Sequence, residues 1–365
     1  MSQHKDPKTG KWYYTGKYRD LLGNRHDYKK RGFNTKKEAK EAESAFLLKV
    51  KGGYGRIKMC SLIKLYHEEM KSTVKGSTLV GYRSIERLHI LPFFGDRYID
   101  SIKTLEITRW NKERALTGNG GKPYDTQYTE RMFVHLSGLF TFAVRHRLLS
   151  DSPCRYARPY RDPNQIVRKQ DSESNFWEVE TYQKFIATIN DQDRIDRYDT
   201  LFLTGLRIGE LIALTWESID FEHRKLRVVQ SYSDPTGTIT SPKTRRSRRS
   251  IDLPARLVDL LQRRHERASK LDGFKEGFFV FGDKRHLVPR TMRRQFNEDV
   301  ARAGVKRITV HGLRHSHASY LLSNPMISES LIAERMGHSI EVLRKTYAHI
   351  YEKRRTAMVE YIENL

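Results

Sequence analysis

Residues 311–347 read HGLRHSHASYLLSNPMISESLIAERMGHSIEVLRKTY, and the reading of this stretch decides how the rest of the chain is understood. Apolar residues recur at helical spacing in three short runs, which predicts helices over 312–323, 328–336 and 340–350. Gly337 stands where a left-handed cap ends the second helix, leaving His338 at the turn and Ser339 to cap the third. On the first helix His311, Arg314 and His315 lie at i, i+3 and i+4 and share a face, while Leu313 and Leu321 are expected to pack inward. Tyr347 follows two turns into the third helix. Arginine, histidine and tyrosine gathered in this way suit the chemistry of a phosphate ester. A free tyrosine, with a pKa of about 10, is only ~0.1% ionised near neutrality, so as a nucleophile it needs its proton removed or its phenolate stabilised. The neighbouring arginines and histidines are expected to do both. Zinc at His311 and His315 is disfavoured, because no acidic residue completes an H-E-x-x-H pattern and Arg314 would repel a cation.

Working outward, residues 204–216 read TGLRIGELIALTW. A glycine turn precedes an apolar helix with Arg207 at its start, and Glu210 is placed to accept from that guanidinium and lock its fork. Helices are predicted at 178–190, 208–216, 255–270 and 290–303. Strands at 225–232 and 248–253 flank a polar segment and suggest a small antiparallel sheet. Lys243 lies in the turn of that sheet, where an ammonium can protonate a departing 5′-hydroxyl. Arg245, Arg246, Arg248 and Arg249 follow it and are expected to bind phosphates.

The 365 residues carry 68 Lys and Arg against 44 Asp and Glu, a formal charge of +24, which points to a polyanionic partner, nucleic acid or an acidic surface. Residues 1–60 hold 16 basic and 6 acidic residues, so the excess is concentrated there. This segment reads as a turn at 6–10, a strand-like KWYYTGKY, a Gly23-Asn24 turn, an extended run to Phe33 and a helix opened by the Thr35–Glu38 capping box. Basic and aromatic residues alternate in it, so one sheet face can present Lys11, Tyr13, Lys17 and Arg19 to a DNA groove. After the Gly52-Gly53-Tyr54-Gly55 joint, apolar stripes at Leu62, Leu65 and Tyr66, at Tyr82, Ile85 and Leu88, and at Tyr128 to Val144 predict a four- or five-helix bundle. Leu91-Pro92 is expected to stop its second helix. The loop TGNGGKPYDT is not a phosphate-cradling nucleotide loop, since Pro123 follows Lys122 where Ser or Thr would be needed. Residues 151–175 have the composition of a linker. Cys60 and Cys154 match no metal or disulfide pattern, and neither a signal peptide nor a membrane span is visible, so a cytoplasmic, nucleoid-associated protein is expected.

Taken together, TGLRIGELIALTW, the Lys243 hairpin, HGLRHSHAS and MGHSIEVLRKTYAH resemble the tyrosine recombinase, or phage integrase, family in order and separation. The resemblance is to integrases of temperate phages and conjugative transposons. It implies a multidomain, mainly α fold with small β-sheets: an arm-binding module (1–55) of three strands and a helix, a helical core-binding bundle (56–155), a linker (156–175), a mixed catalytic domain (176–351) and a tail (352–365) exchanged between subunits. It implies the catalytic set Arg207, Lys243, His311, Arg314, His338 and Tyr347, with Glu210 and His315 behind them, and a transesterification without metal or other cofactor through a 3′-phosphotyrosyl bond. The implied partners are double-stranded attachment sites of core and arm type, a homotetramer on DNA, and an accessory DNA-bending or directionality factor. Tyr351 is a rival nucleophile, but Tyr347 has the family's spacing of ten from Gly337. Leu343-Arg344 departs from the paired threonines of many relatives. A catalytically silent architectural protein and a type IB topoisomerase are the competing readings.

Overall fold

The structure, a computed structural model, describes residues 2–19, 25–51, 57–118, 120–162, 175–241, 245–347, 359 and 362–363. It divides into two compact units, Met1–Ser172 and Glu173–Leu365. Among the described residues no helix is long and apolar enough to cross a membrane.

The first unit begins with a three-stranded antiparallel sheet of β1 (Ser2–Lys5), β2 (Trp12–Arg19) and β3 (Arg25–Phe33), in that order, against helix α1 (Lys36–Lys51). Alternation divides β2 as expected. Tyr14 is buried and Tyr18 packs on Phe46, whereas Lys11 and Lys17 are exposed and Tyr13 lies under the Lys29 ammonium and the Arg31 guanidinium. Thr35 accepts from the Glu38 N–H, but the Glu38 carboxylate reaches the Asn34 N–H, so the helix start differs by one residue from a reciprocal box. The Gly23-Asn24 turn and the Arg19 side chain lie outside the described residues.

The helical part comprises α2 (Met59–Met70), α3 (Gly76–Ile85), α4 (Leu91–Phe94), α5 (Thr104–Thr117) and α6 (Thr126–Arg145), around a core that includes Leu62, Ile90, Met132, Leu136 and Phe140. Pro92 does not stop the chain's helical course. A π-turn at Glu86–Ile90 comes just before it, widening the backbone ring where proline removes a donor and crowds a carbonyl, so one more turn follows. The same turn carries buried Glu86, which is hydrogen-bonded to His67 at 2.7 Å and His135 at 2.8 Å. The expected linker falls largely outside the described residues.

The second unit contains α7 (Val179–Ile186), α8 (Gln192–Thr204), α9 (Ile208–Ile212), α10 (Ala255–Ala268), α11 (Pro289–Ala303), α12 (Val310–Ser323), α13 (Glu329–Met336) and α14 (Ile340–Thr346). Its sheet pairs β4 (Ile219–Asp220), β5 (Lys225–Val228) and β8 (Arg249–Asp252), with β6 (Ser231–Ser233) and β7 (Thr238–Thr240) forming a separate hairpin. The strand expected at 225–232 is therefore two strands in different sheets, and the helix expected at 208–216 ends at Ile212. No element is expected from sequence between 190 and 208, yet α8 lies there in the core. Its Asp and Arg residues disguise the apolar stripe, and the fold buries several of them in pairs: Asp196 with Arg264, Asp199 with the Tyr182 hydroxyl and Arg256, and Arg194 with Asp299.

Candidate active site

Three turns converge in the second unit. The first is the end of α8, where Gly205 adopts a left-handed conformation (φ +67°). A Cβ there would stand 2.6 Å from His317 Cδ2 and 2.9 Å from Met336 Sδ, so only glycine allows the close approach of α8, α12 and α13. Arg207 then caps α9, and its Nη1 donates to Glu210 Oε1 at 2.8 Å while its backbone N–H donates to Oε2 at 2.9 Å. The second turn is the start of α12, where the Thr309 hydroxyl accepts from the Gly312 N–H and sets the helix that carries His311, Arg314 and His315. The third is Gly337 (φ +62°), which closes α13, after which the Ser339 hydroxyl accepts from the Val342 N–H and opens α14.

Arg314 ties the three together. Its Nη1 donates to the Gly205 carbonyl, and its Nη2 donates to the Met336 carbonyl and, at 3.0 Å, to His338 Nε2. It is 1% exposed, so its guanidinium organises the interior of the site. Accepting at Nε2 places the His338 proton on Nδ1, a buried atom that makes no hydrogen bond among the described residues. Tyr347, 2% exposed, packs with Ala318, Leu322, Met336 and Leu343, and its hydroxyl lies 3.0 Å from His315 Nδ1.

The electrostatics follow from this packing. Desolvation pushes the Glu210 carboxyl up, but the hydrogen bond from Arg249 and the charges of Arg249 and Arg207 outweigh it and hold the pKa at about 2. The Arg207 and Arg249 guanidiniums thus hold one carboxylate, whose charge also reaches the buried Arg314, so three cations share one anion. Burial and its cationic neighbours depress Arg314 to about 9. His338 is pushed down to about 3 by burial and by the charges of Arg314, Arg207 and Arg249, and His311 and His315 are lowered for the same kinds of reason. These histidines are neutral at pH 7. Burial raises the Tyr347 pKa to about 12, and Arg314 offsets only part of that rise.

Arg207, Glu210, His311, Arg314, His315, His338 and Tyr347 are therefore brought together. Lys243 and the rival Tyr351 lie outside the described residues, as does the Arg245 side chain. Arg246 and Arg248 are exposed and line a cleft of about 590 Å³ with Gly337, His338 and Ser339. Arg249 departs from the expectation that it binds phosphate from the surface. Its side chain is 3% exposed and reaches both Glu210 oxygens, at 2.9 and 3.1 Å. Strand parity carries the missed signal: Ile251 marks the inward face of β8, and Arg249 is two residues from it. Arg335 and His317, also absent from the sequence reading, support the same region. Arg335 Nε donates to His317 Nε2 at 3.1 Å and its Nη2 to the Leu203 carbonyl at 3.0 Å.

Comparison with known proteins adds three matches along the chain. The Phage integrase family matches residues 177–354, an Arm DNA-binding domain matches 2–50, and a Phage integrase, N-terminal SAM-like domain matches 60–113. The chain is 28% identical over 351 residues to the ICEBs1 integrase of Bacillus subtilis, with 91% of each covered. It is 26% identical over 365 residues to a XerC-like tyrosine recombinase of Caldanaerobacter subterraneus, covering 91% of this chain and 90% of that one. Among solved structures, the Tn1549 transposon integrase in complex with transposon right end DNA aligns over 84% of this chain and 100% of its own, with a TM-score of 0.68 and 21% identity. The lambda integrase tetramer bound to a Holliday junction aligns over 92% of this chain and 95% of its own, with a TM-score of 0.59 and 18% identity.

Proposed function

We propose that this chain, which belongs to the phage integrase family and is a tyrosine-type site-specific DNA recombinase, cuts and rejoins its DNA through Tyr347, with Arg207, His311, Arg314 and His338 around the scissile phosphate. The observation that carries this reading is the tyrosine hydroxyl at 3.0 Å from His315 Nδ1, beside a cluster with two surplus positive charges. A phosphodiester is an anion that such a cluster suits. Removing the resulting oxyanion's donors costs roughly 3 to 4 kcal/mol each in comparable sites.

In the forward step His315 Nδ1 takes the phenol proton as the Tyr347 oxygen attacks phosphorus. The bond to the 5′-oxygen breaks, a 3′-phosphotyrosyl bond forms, and the departing oxygen leaves as a 5′-hydroxyl once protonated, the role assigned to Lys243. The reverse attack by a 5′-hydroxyl of the partner duplex restores the tyrosine. One phosphodiester is exchanged for another, so the sequence needs no nucleotide to drive it. Tyr347 and Arg314 are both enclosed by the protein, so cleavage requires the scissile phosphate to gain access to them.

The related integrases carry DNA in their structures, one of them as a tetramer on a Holliday junction. By extension the partners are double-stranded core and arm sites and three further copies of this chain. Residues 1–55 hold the arm site, 56–155 the core site and 176–351 the chemistry, with 352–365 exchanged between subunits. A DNA-bending or directionality factor completes the assembly, which belongs on the nucleoid. The test is incubation with a nicked attachment-site duplex in chelator without ATP. A covalent protein–DNA adduct is expected, absent in Tyr347→Phe and retained in Tyr351→Phe. An adduct that requires magnesium, or one that survives Tyr347→Phe, overturns the reading.

A further inference from the structure

Arg249 commits every nitrogen of its guanidinium inside the protein. Nη1 and Nη2 take the two Glu210 oxygens at 3.1 and 2.9 Å, Nη1 also reaches the Ser247 carbonyl at 3.3 Å, and Nε donates to the Arg335 carbonyl at 2.7 Å. The next carbonyl along α13, that of Met336, is the one Arg314 holds. Adjacent carbonyls at the end of one helix are thus fastened by two arginines from two other elements, two and three residues before His338. The Arg249 side chain also runs against the Gly337 turn, where an added Cβ would meet its Cδ and Nη1 at 3.3 Å. On the other side, Glu210 is left to Arg207 for one Nη1 contact and a backbone N–H.

We infer that Arg249 is a positioning residue for strand cleavage: its one guanidinium fixes the Glu210 carboxylate that orients Arg207 and, at the same time, the turn that carries His338. The inference rests on the reading that Arg207, Arg314 and His338 surround the phosphate. Lysine at this position keeps the charge but is a point donor, unable to hold a carboxylate in bidentate fashion and a carbonyl on a third side. Freed of Arg249, Glu210 faces Arg207 from its own turn and Arg314 and His311 from α12. The carboxylate is then drawn toward the Arg207 and Arg314 guanidiniums, which should serve the phosphate. Misplacement of this kind costs on the order of 100-fold in rate.

The experiment is single-turnover adduct formation on the nicked duplex with full-length protein, at saturating DNA, alongside equilibrium DNA binding and thermal melting. Arg249→Lys is expected to melt near the wild type and to bind DNA within about threefold, yet to cleave roughly 100-fold more slowly. In a Glu210→Gln background the same substitution should slow cleavage little further, because both changes break one device. An Arg249→Lys protein that cleaves at the wild-type rate overturns the inference, and so does a double variant whose losses multiply. If Arg249→Lys does not fold, the isosteric Glu210→Gln carries the test, and full cleavage by that variant overturns it. A wild-type protein that forms no adduct counts instead against the proposed function, so the two failures are distinguishable.

Discussion

The pH dependence of cleavage tests how a buried, unactivated tyrosine is made nucleophilic. With its pKa at about 12, Tyr347 is ionised in about one molecule in 100,000 at pH 7, a hundredth of the fraction for an ordinary tyrosine. Attack by pre-formed phenolate would therefore gain about tenfold per pH unit, or about 100-fold from pH 7 to pH 9. Transfer to His315 Nδ1 behaves otherwise, because that imidazole titrates below its ordinary 6.5 and is already neutral at pH 7. The rate should then change by no more than about 1.3-fold between pH 7 and 9, and should fall only as His315 is protonated below pH 6.5. The assay is single-turnover adduct formation on the nicked duplex in buffers from pH 5 to 9. His315→Gln should slow the step by roughly 100-fold or more at pH 7 and bring back the tenfold-per-unit rise. A wild-type profile that climbs tenfold per unit above pH 7, or a His315→Gln enzyme as fast as wild type, refutes the argument.

Three further outcomes follow from the same geometry. Glu210 is held at about 2 against an unfolded value of 4.5, worth about 3 kcal/mol at 1.36 kcal/mol per unit. The depressed carboxyl contributes this fully above pH 4.5 and loses it as pH falls toward 2, so the urea-unfolding gap between wild type and Glu210→Gln should be about 3 kcal/mol at pH 7 and less than half that at pH 3. Gly205→Ala meets both a left-handed backbone and a Cβ contact at 2.6 Å. It should cost roughly 2 to 5 kcal/mol in thermal or urea unfolding, with a melt unchanged from wild type counting against the packing described. On the arm sheet, Lys17, Lys29 and Arg31 accompany Tyr13 on the face away from α1. Replacing Lys29 or Arg31 with alanine in the full chain should lower the log–log salt slope of arm-site binding by about 0.9 each, and an unchanged slope would remove those phosphate contacts.

Much of the candidate site was legible in one dimension because it rests on short-range geometry. The i, i+3, i+4 spacing of His311, Arg314 and His315, the Gly337 cap and Arg207 three residues before Glu210 all report on a single helical turn or its end, where local backbone sterics dominate. The charge excess of residues 1–60 and the alternation of KWYYTGKY are likewise local. The helix over 192–204 was not legible, since its Asp and Arg residues are buried only because partners on α10 and α11 neutralise them. Pro92 read as a stop because the π-turn that relieves it leaves no compositional mark.

By itself the sequence determined which chemistry was on offer, the arginines, histidines and tyrosine and the helices that carry them, because residue type and helical period are properties of neighbours in the chain. Only the tertiary structure decided where each group sits and what it contacts. It turned Arg249 from an expected surface cation into a buried brace and paired Tyr347 with His315 32 residues away. Those outcomes depend on distances and desolvation between segments far apart in the chain, as many as 109 residues for the Arg314 bond to the Gly205 carbonyl. Periodicity carries no record of such distances.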